Sequence, residues 1–141
     1  MFNGTYEQRL SDWHSFRNTL EHSKDPLQDV INQYNQATQV SRYTDPWSPN
    51  LWPTAWELIN ENTYCDFCTV LGMYYSLQLT ERFTEANFEI HIGIDREQST
   101  SYYLLIIDDR VIGYDSERHV SIDDLPKTYQ SERVYHLPLT N

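Results

Sequence analysis

The amino-acid sequence predicts an α+β protein in which helices come first and a small antiparallel sheet follows. Over the first half of the chain, apolar residues recur at steps of three and four, which is the period of an α-helix. After Thr80 the period changes to two, and short apolar runs alternate with turn residues, as in antiparallel strands. The length of 141 residues predicts a single domain over residues 1–141.

Residues 1–37 are predicted to be a helical N-terminal part made of two helices. The first helix ends at "SKDP", because the residue before Pro26 disfavours helical geometry, and the second follows the proline. Residues 38–53, "TQVSRYTDPWSPNLWP", are predicted to form a loop, since three prolines interrupt regular structure. The apolar stripes of the two helices consist of Tyr6, Leu10, Trp13, Phe16 and Leu20, followed by Leu27, Val30, Ile31 and Tyr34.

Residues 54–141 are predicted to be a core of helices and sheet, and two helices open it. Thr54 and Glu57 have the spacing of a capping box at the start of "AWELI". The segment "NENT" then interrupts the pattern, and Asn62 or Thr63 is the predicted cap of the next helix. The predicted buried side of that helix consists of Cys68, Leu71, Tyr75 and Leu79.

Four later segments are predicted to be strands: "FEIHIGID" (88–95), "YYLLII" (102–107), "VIGYD" (111–115) and "ERVYHL" (132–137). A tight turn at "DDR" joins the second to the third. The strict alternation of the first strand predicts one buried face and one solvated face. The buried face consists of Phe88, Ile90, Ile92 and Ile94, and the solvated face consists of Glu89, His91, Gly93 and Asp95.

The composition excludes several classes of partner. The net charge is −11, from 21 acidic and 10 basic residues, so binding to nucleic acid or to an anionic membrane is not expected. No apolar run is long enough to span a bilayer. The first residues, "MFNGTYEQRLSDW", lack the pattern of a secretory signal, so we expect a cytoplasmic location and reduced cysteines. A protein or peptide with neutral or basic groups is the expected partner.

The two cysteines, Cys65 and Cys68, raise three possibilities: a nucleophile at a helix start, a redox or metal pair, or buried thiols. Reactive cysteines favour helix N-termini, where the free N–H groups stabilise a thiolate. A zinc site needs four ligands, and the histidines are scattered without the usual spacing, so no metal or other cofactor is expected. A thioredoxin-like motif would follow a strand, whereas this one follows "WELINENT".

The longer segment "DPWSPNLWPTAWELINENTYCDFCTVLGMYYSLQL", with the strands "FEIHIGID" and "YYLLIIDDRVIGYDS" after it, resembles the bacterial transglutaminase-like cysteine proteinases. The resemblance covers residues 30–116 and implies a transglutaminase/papain-like fold, with the cysteine-bearing helix packed on the sheet. It places Trp52, Glu57, Cys65 and Asp115 at the family's tryptophan, glutamate, nucleophile and acid. The segment "WPTAWEL" and the richness in Tyr, Asn and Gln are also similar to proteins of marine bacteriophages.

The catalysis implied by this resemblance needs a histidine that holds the thiolate and an acid that orients the histidine. Here Tyr102 stands where the family has its histidine, and a phenol titrates near 10. His91 is the alternative base, oriented by Asp108 or Asp115, although its strand face is predicted to be solvated. Without a histidine, we expect only the helix terminus to lower the pKa of Cys65.

Two functions of different class follow. The first is a non-catalytic binding protein that keeps the fold without a working triad, and it is the interpretation that the missing histidine favours. The alternative is a cysteine-dependent peptidase or amidase with Cys65 as nucleophile, His91 as base and Asp115 as acid. Trp52, Trp56 and Tyr102 are the candidate substrate-binding residues, since aromatic side chains can line a cleft, although such residues are also common in protein cores.

Overall fold

A computed structural model describes residues 1–40 and 44–139 of the protein. Within these residues it contains four α-helices and one five-stranded antiparallel sheet, which confirms the predicted α+β class. The chain divides into two compact units, Met1–Thr84 and Glu85–Asn141. The first unit carries the α-helices and the second carries the sheet.

The helical unit has its helices close to where the periodicity predicts them. Their bounds are α1 Tyr6–His22, α2 Pro26–Tyr34, α3 Ala55–Glu61 and α4 Asp66–Gln78. The predicted capping box is present, because the Thr54 side chain accepts from the N–H of Glu57 and the Glu57 carboxylate accepts from the N–H of Thr54. The predicted loop 38–53 contains a 3-10 turn at Pro49–Leu51, and its residues 41–43 lie outside the described residues.

The junction between α3 and α4 differs from the prediction. Asn62 does not cap α4; it ends α3 in the left-handed conformation (φ 56°), and its N–H bonds to the carbonyl of Leu58. Asparagine tolerates that conformation better than most residues, which suits it to the end of a helix. Thr63 is not the cap either, since the N-cap of α4 is Cys65 itself.

Helix α4 is buried around most of its circumference and not along one stripe. Leu79, which the stripe predicts to be buried, is 40% exposed, because the helix has already ended at Gln78. A helix that is apolar on all sides is typical of a protein core, and α4 contacts the other three α-helices of its unit. The buried residues of α4 are Phe67, Cys68, Val70, Leu71, Gly72, Met73, Tyr74, Ser76 and Leu77.

A buried hydrogen-bond network around Ser76 joins three of these helices. The Ser76 hydroxyl donates to the carbonyl of Gly72 at 2.9 Å and accepts from the Trp13 indole N–H at 2.9 Å. Because the Ser76 hydroxyl donates its proton to the carbonyl of Gly72, it acts as the acceptor for the Tyr34 hydroxyl, 2.8 Å away. The side chains of Trp13, Tyr34 and Ser76 are almost fully buried, so each of these polar groups depends on the network for a partner.

The second unit is a sheet with strand order β4-β3-β2-β1-β5. The strands are β1 Phe88–Asp95, β2 Thr100–Ile107, β3 Arg110–Ile112, β4 Val120–Ser121 and β5 Tyr129–Leu137. The predicted turn at "DDR" joins β2 to β3, with Asp108 at φ 54°. Strand β3 is shorter than predicted because Gly113 (φ 107°) turns the chain against the carbonyl of Tyr103, where a Cβ would clash. The two-residue strand β4 is not visible in the sequence pattern.

The alternation of β1 fails in its second half. Phe88, Ile90 and Ile92 are buried as predicted, but the register against β5 shifts between Ile92 and Gly93. Asp95, predicted to be solvated, is 2% exposed, and its carboxylate accepts from the Thr128 hydroxyl at 2.7 Å and the Glu97 N–H at 3.1 Å. A bulge of this kind changes which side chains face inward.

The Ser76 network gives a test of the helical core. We expect Ser76→Ala to lower the free energy of unfolding by about 1–3 kcal/mol, because the Trp13 N–H and the Tyr34 hydroxyl then lose a buried acceptor. Urea unfolding followed by tryptophan fluorescence measures it, since all four tryptophans lie in the first unit. Ser11→Ala is the matched control on the exposed side of α1 and should change stability by less than about 0.5 kcal/mol. Equal effects of the two substitutions would contradict the role of the network.

Candidate functional site

The first turn of α4 presents both cysteines, which are free thiols. Cys65 is the N-cap residue, with an extended backbone (φ −95°, ψ 173°) that turns its side chain over the helix start. Its Sγ accepts from the N–H of Cys68 at 3.4 Å. Cys68 lies on the side of the helix that is predicted to be buried, and it is 6% exposed, but Cys65 is buried to the same degree, at 7%.

A second segment of chain reaches both sulfur atoms. The N–H of Thr44 lies 3.5 Å from the Sγ of Cys65, and the Thr44 hydroxyl lies 3.1 Å from the Sγ of Cys68. Before Thr44 in the chain, Gln39 forms an isolated parallel β-bridge with Tyr64, the residue that precedes Cys65. No sequence signal identifies Thr44, because it lies in the irregular segment 38–53 and is separated from Cys65 by the intervening helix α3.

These contacts determine the electrostatics of the pair. The hydrogen bond from the Cys68 thiol is the largest cause that lowers the pKa of Cys65 well below its ordinary value, and the N–H groups of Thr44 and Cys68 add to it against the opposing effect of burial. The same hydrogen bond, together with burial, raises the pKa of Cys68. The expectation that only the helix terminus lowers the pKa of Cys65 is therefore wrong, and the pair favours a thiolate on Cys65 and a proton on Cys68.

His91 lies on β1 in a polar cluster of the sheet unit. Its Nδ1 is 2.8 Å from the hydroxyl of Ser131, and its Nε2 is 2.9 Å from a carboxylate oxygen of Glu89. The other carboxylate oxygen of Glu89 is 3.1 Å from the Nδ1 of His136. The His91 side chain is 14% exposed, so it is less solvated than its strand face predicts. Both of its ring nitrogens have partners within the sheet unit.

The two candidate acids have partners other than His91. Asp115 follows β3 in a loop, where its carboxylate accepts from the N–H of Glu117 at 2.8 Å and from Arg118 at 3.1 Å. These contacts lower the pKa of Asp115. Asp108 accepts from the N–H of Asn87 at 3.0 Å in the turn after β2. Neither carboxylate orients the imidazole of His91, whose carboxylate partner is Glu89.

The three candidate substrate-binding residues occupy different environments. Trp52 packs against Phe67 of α4, with ring centroids 5.0 Å apart. Trp56 is 52% exposed and makes an edge contact with Trp13 at 5.5 Å. In the sheet unit, Tyr102 packs beside Tyr114 at 5.3 Å and beside Tyr129 at 6.3 Å. Trp56 is therefore the most accessible of the three aromatic side chains to a partner.

Across residues 1–40 and 44–139, no three His, Cys, Asp or Glu side chains are grouped so that they could hold a metal ion. Among the same residues, none of the helices combines the length and the apolar character that crossing a membrane requires. A comparison with known protein families finds no family model that matches the chain, and a comparison with curated proteins finds no match either.

The cysteine pair predicts a characteristic pH profile for alkylation. Because only the thiolate reacts, alkylation of Cys65 by iodoacetamide should already have its full rate at about pH 6, and the rate should fall as the pH drops through the lowered pKa. Cys68→Ala removes the thiol donor, so the pKa of Cys65 rises and the rate at that pH should fall by about tenfold for each unit of the rise. Peptide mapping assigns the modified residue, and Cys65→Ser is the control without the reactive thiol. A rate that is unchanged in Cys68→Ala would contradict the hydrogen bond.

Proposed function

We propose that the protein is a non-catalytic binding protein with a transglutaminase-like fold and no working Cys-His-Asp triad. The observation that carries the proposal is the position of His91, whose two ring nitrogens are bonded to Ser131 and Glu89. The pairing of Asp115 with Arg118 supports the absence of an orienting acid. A triad needs its histidine free to accept a proton from the nucleophile and oriented by the acid.

A surface suited to a protein partner lies in the helical unit. Eight large apolar side chains are exposed in the described chain, and four of them fall within residues 40–56. Trp47 is 52% and Leu51 70% exposed, and together with Trp56 we call them the tryptophan segment. Exposed tryptophans of this kind often supply most of the binding energy of an interface. The four exposed side chains are Val40, Trp47, Leu51 and Trp56.

The tryptophan segment is held in shape before any partner binds. The Asp45 carboxylate accepts from the N–H of Trp47 at 2.9 Å and from the hydroxyl of Ser48 at 2.9 Å. The 3-10 turn Pro49–Leu51 follows directly. Such ordering reduces the conformational entropy that binding would otherwise cost, which raises affinity for a given contact area.

The charge indicates the chemistry of the partner. At a net charge of −11, the chain attracts basic surfaces and repels acidic ones, so we infer a protein or peptide with basic groups around an apolar site. The resemblance to marine bacteriophage proteins makes a phage or bacterial host protein the proposed partner, met in the bacterial cytoplasm or on the virion.

One observation favours the second candidate, a cysteine-dependent peptidase or amidase. The lowered pKa of Cys65 would give a nucleophile at neutral pH. In that mechanism His91 would protonate the leaving amine, so it would have to leave its contacts with Ser131 and Glu89.

Affinity capture from phage-infected bacteria, quantified by mass spectrometry, tests the binding function. A specific protein should be retained by the wild type and by Cys65→Ser, and its retention should fall at least about tenfold in Trp47→Ala/Leu51→Ser, because loss of two central apolar anchors costs more than about 1.4 kcal/mol. Ile122→Ser, an exposed apolar residue in the other unit, is the matched control and should retain the partner.

The same preparations separate the two candidate functions. Incubation with unfolded casein should give no cleavage by the wild type. Cleavage of a peptide bond by the wild type, lost in both Cys65→Ser and His91→Ala, would overturn the binding proposal in favour of the peptidase.

A further inference from the structure

We propose that Cys65 and Cys68 form a dithiol site for thiol–disulfide exchange, in which Cys65 attacks a disulfide bond of another molecule and Cys68 resolves the product. The substrate class is a disulfide, on a protein or on a small molecule. The proposal rests on the helical unit alone and goes beyond the binding function, which involves the tryptophan segment.

The spacing of the two cysteines allows them to close a disulfide. Cβ atoms of residues three apart on a helix lie about 5–6 Å from each other. A disulfide requires about 3.5–4.5 Å, so a small adjustment closes the gap. Cys65 is an N-cap residue with extended backbone, outside the regular helix, and that adjustment needs no break in α4.

Contacts from outside α4 hold the two cysteines in place. Thr44 bridges the pair, with its N–H toward Cys65 and its hydroxyl toward Cys68. The buried hydroxyl of Tyr64 has no hydrogen-bond partner among the described residues. Burial is the main cause that raises the pKa of Tyr64, the residue directly before Cys65.

The residue before the motif is tied to a second segment of the chain. The residues "WELINENT" give no sign of a strand, but Tyr64 is extended and pairs with Gln39 in a parallel bridge. Its N–H donates to the carbonyl of Thr38 at 2.9 Å, and its carbonyl accepts from Val40 at 3.1 Å. The C-x-x-C motif therefore begins directly after a residue that is bridged to a second segment of the chain, at the start of α4.

The reaction proceeds by two successive thiol–disulfide exchange steps. The Cys65 thiolate attacks one sulfur of the substrate disulfide, forms a mixed disulfide and releases the other sulfur as a thiolate. Cys68 then loses its proton to that thiolate or to water, and its sulfur attacks the Sγ of Cys65. The second substrate thiolate leaves as the Cys65–Cys68 disulfide forms. The substrate disulfide is reduced to two thiols, and the dithiol is oxidised by the same two electrons.

The hydrogen bond between the thiols orders these steps. Cys65 attacks first because its pKa is lowered, whereas Cys68 keeps its proton. Once Cys65 is in a mixed disulfide, its negative charge is gone, and with it the hydrogen bond that is the largest cause raising the pKa of Cys68. Cys68 is then easier to ionise when it is needed as the resolving thiol.

Glutathione disulfide is the probe, and the mass of the intact chain is the readout, since the chain has two cysteines. Near neutral pH the wild type should lose two hydrogen atoms and become resistant to alkylation. Cys68→Ala should accumulate one glutathionyl group on Cys65, because no resolving thiol remains. Cys65→Ser, which retains a good N-cap residue, should react at least about tenfold more slowly.

The results of this experiment test the dithiol site separately from the binding function. A wild type that keeps a stable glutathionyl group, or that stays unmodified, would overturn the dithiol site, and this result needs no variant that might fail to fold. Equal rates in wild type and Cys65→Ser would overturn the assignment of the attacking thiol. Trp47→Ala/Leu51→Ser should exchange like the wild type, so a loss of partner capture in that variant bears on the binding function alone.

Discussion

The hydrogen bond at the start of α4, from the N–H of Cys68 to the sulfur of the N-cap residue Cys65, is the interaction on which the helical unit depends. Helix α4 contacts the other three helices, and its first free N–H groups are met by the sulfur of Cys65. Serine, threonine, aspartate and asparagine are the usual residues at such a position, and cysteine is the less common choice. The cap that orders the central helix is therefore also the group with the perturbed pKa, so structure and chemistry are joined in one side chain.

The environment of Cys65 separates thiolate formation from histidine catalysis. In a cysteine hydrolase a histidine holds the thiolate and later protonates the leaving group. In this protein the Cys68 thiol and three backbone N–H groups, those of Thr44, Cys68 and Phe67, already stabilise the thiolate. His91 has its own partners in Ser131 and Glu89. Such a thiolate suits exchange with sulfur, where the leaving group needs no protonation, better than cleavage of an amide.

Local signals in the sequence predict most of the fold. The apolar period of three and four residues indicates α1 and α2, the Thr54–Glu57 spacing gives a capping box that is present, and the period of two gives β1. These features succeed because each depends on residues near one another in the chain. The bulge in β1, the strand β4 and the burial of Asp95 depend on strand partners instead, and no local pattern encodes them.

The candidate site was less predictable than the fold. The sequence identifies Cys65 and its helix, but Thr44 and the bridge at Tyr64 come from a segment without periodicity. The resemblance to transglutaminase-like proteinases aligns residue types such as Asp115, yet a carboxylate in the right place along the chain can pair with a neighbouring arginine, as Asp115 does with Arg118. Spacing in sequence indicates which residues are available, and side-chain partners decide what they do.

We infer that the helical unit stabilises the thiolate of Cys65 without a histidine. Titration of the ultraviolet absorbance of the thiolate, as the difference between the wild type and Cys65→Ser, measures the pKa of Cys65 directly. We expect a midpoint well below the ordinary value of about 8.5, and the same midpoint in His91→Ala. A midpoint near the ordinary value, or one that rises by a unit or more in His91→Ala, would contradict it.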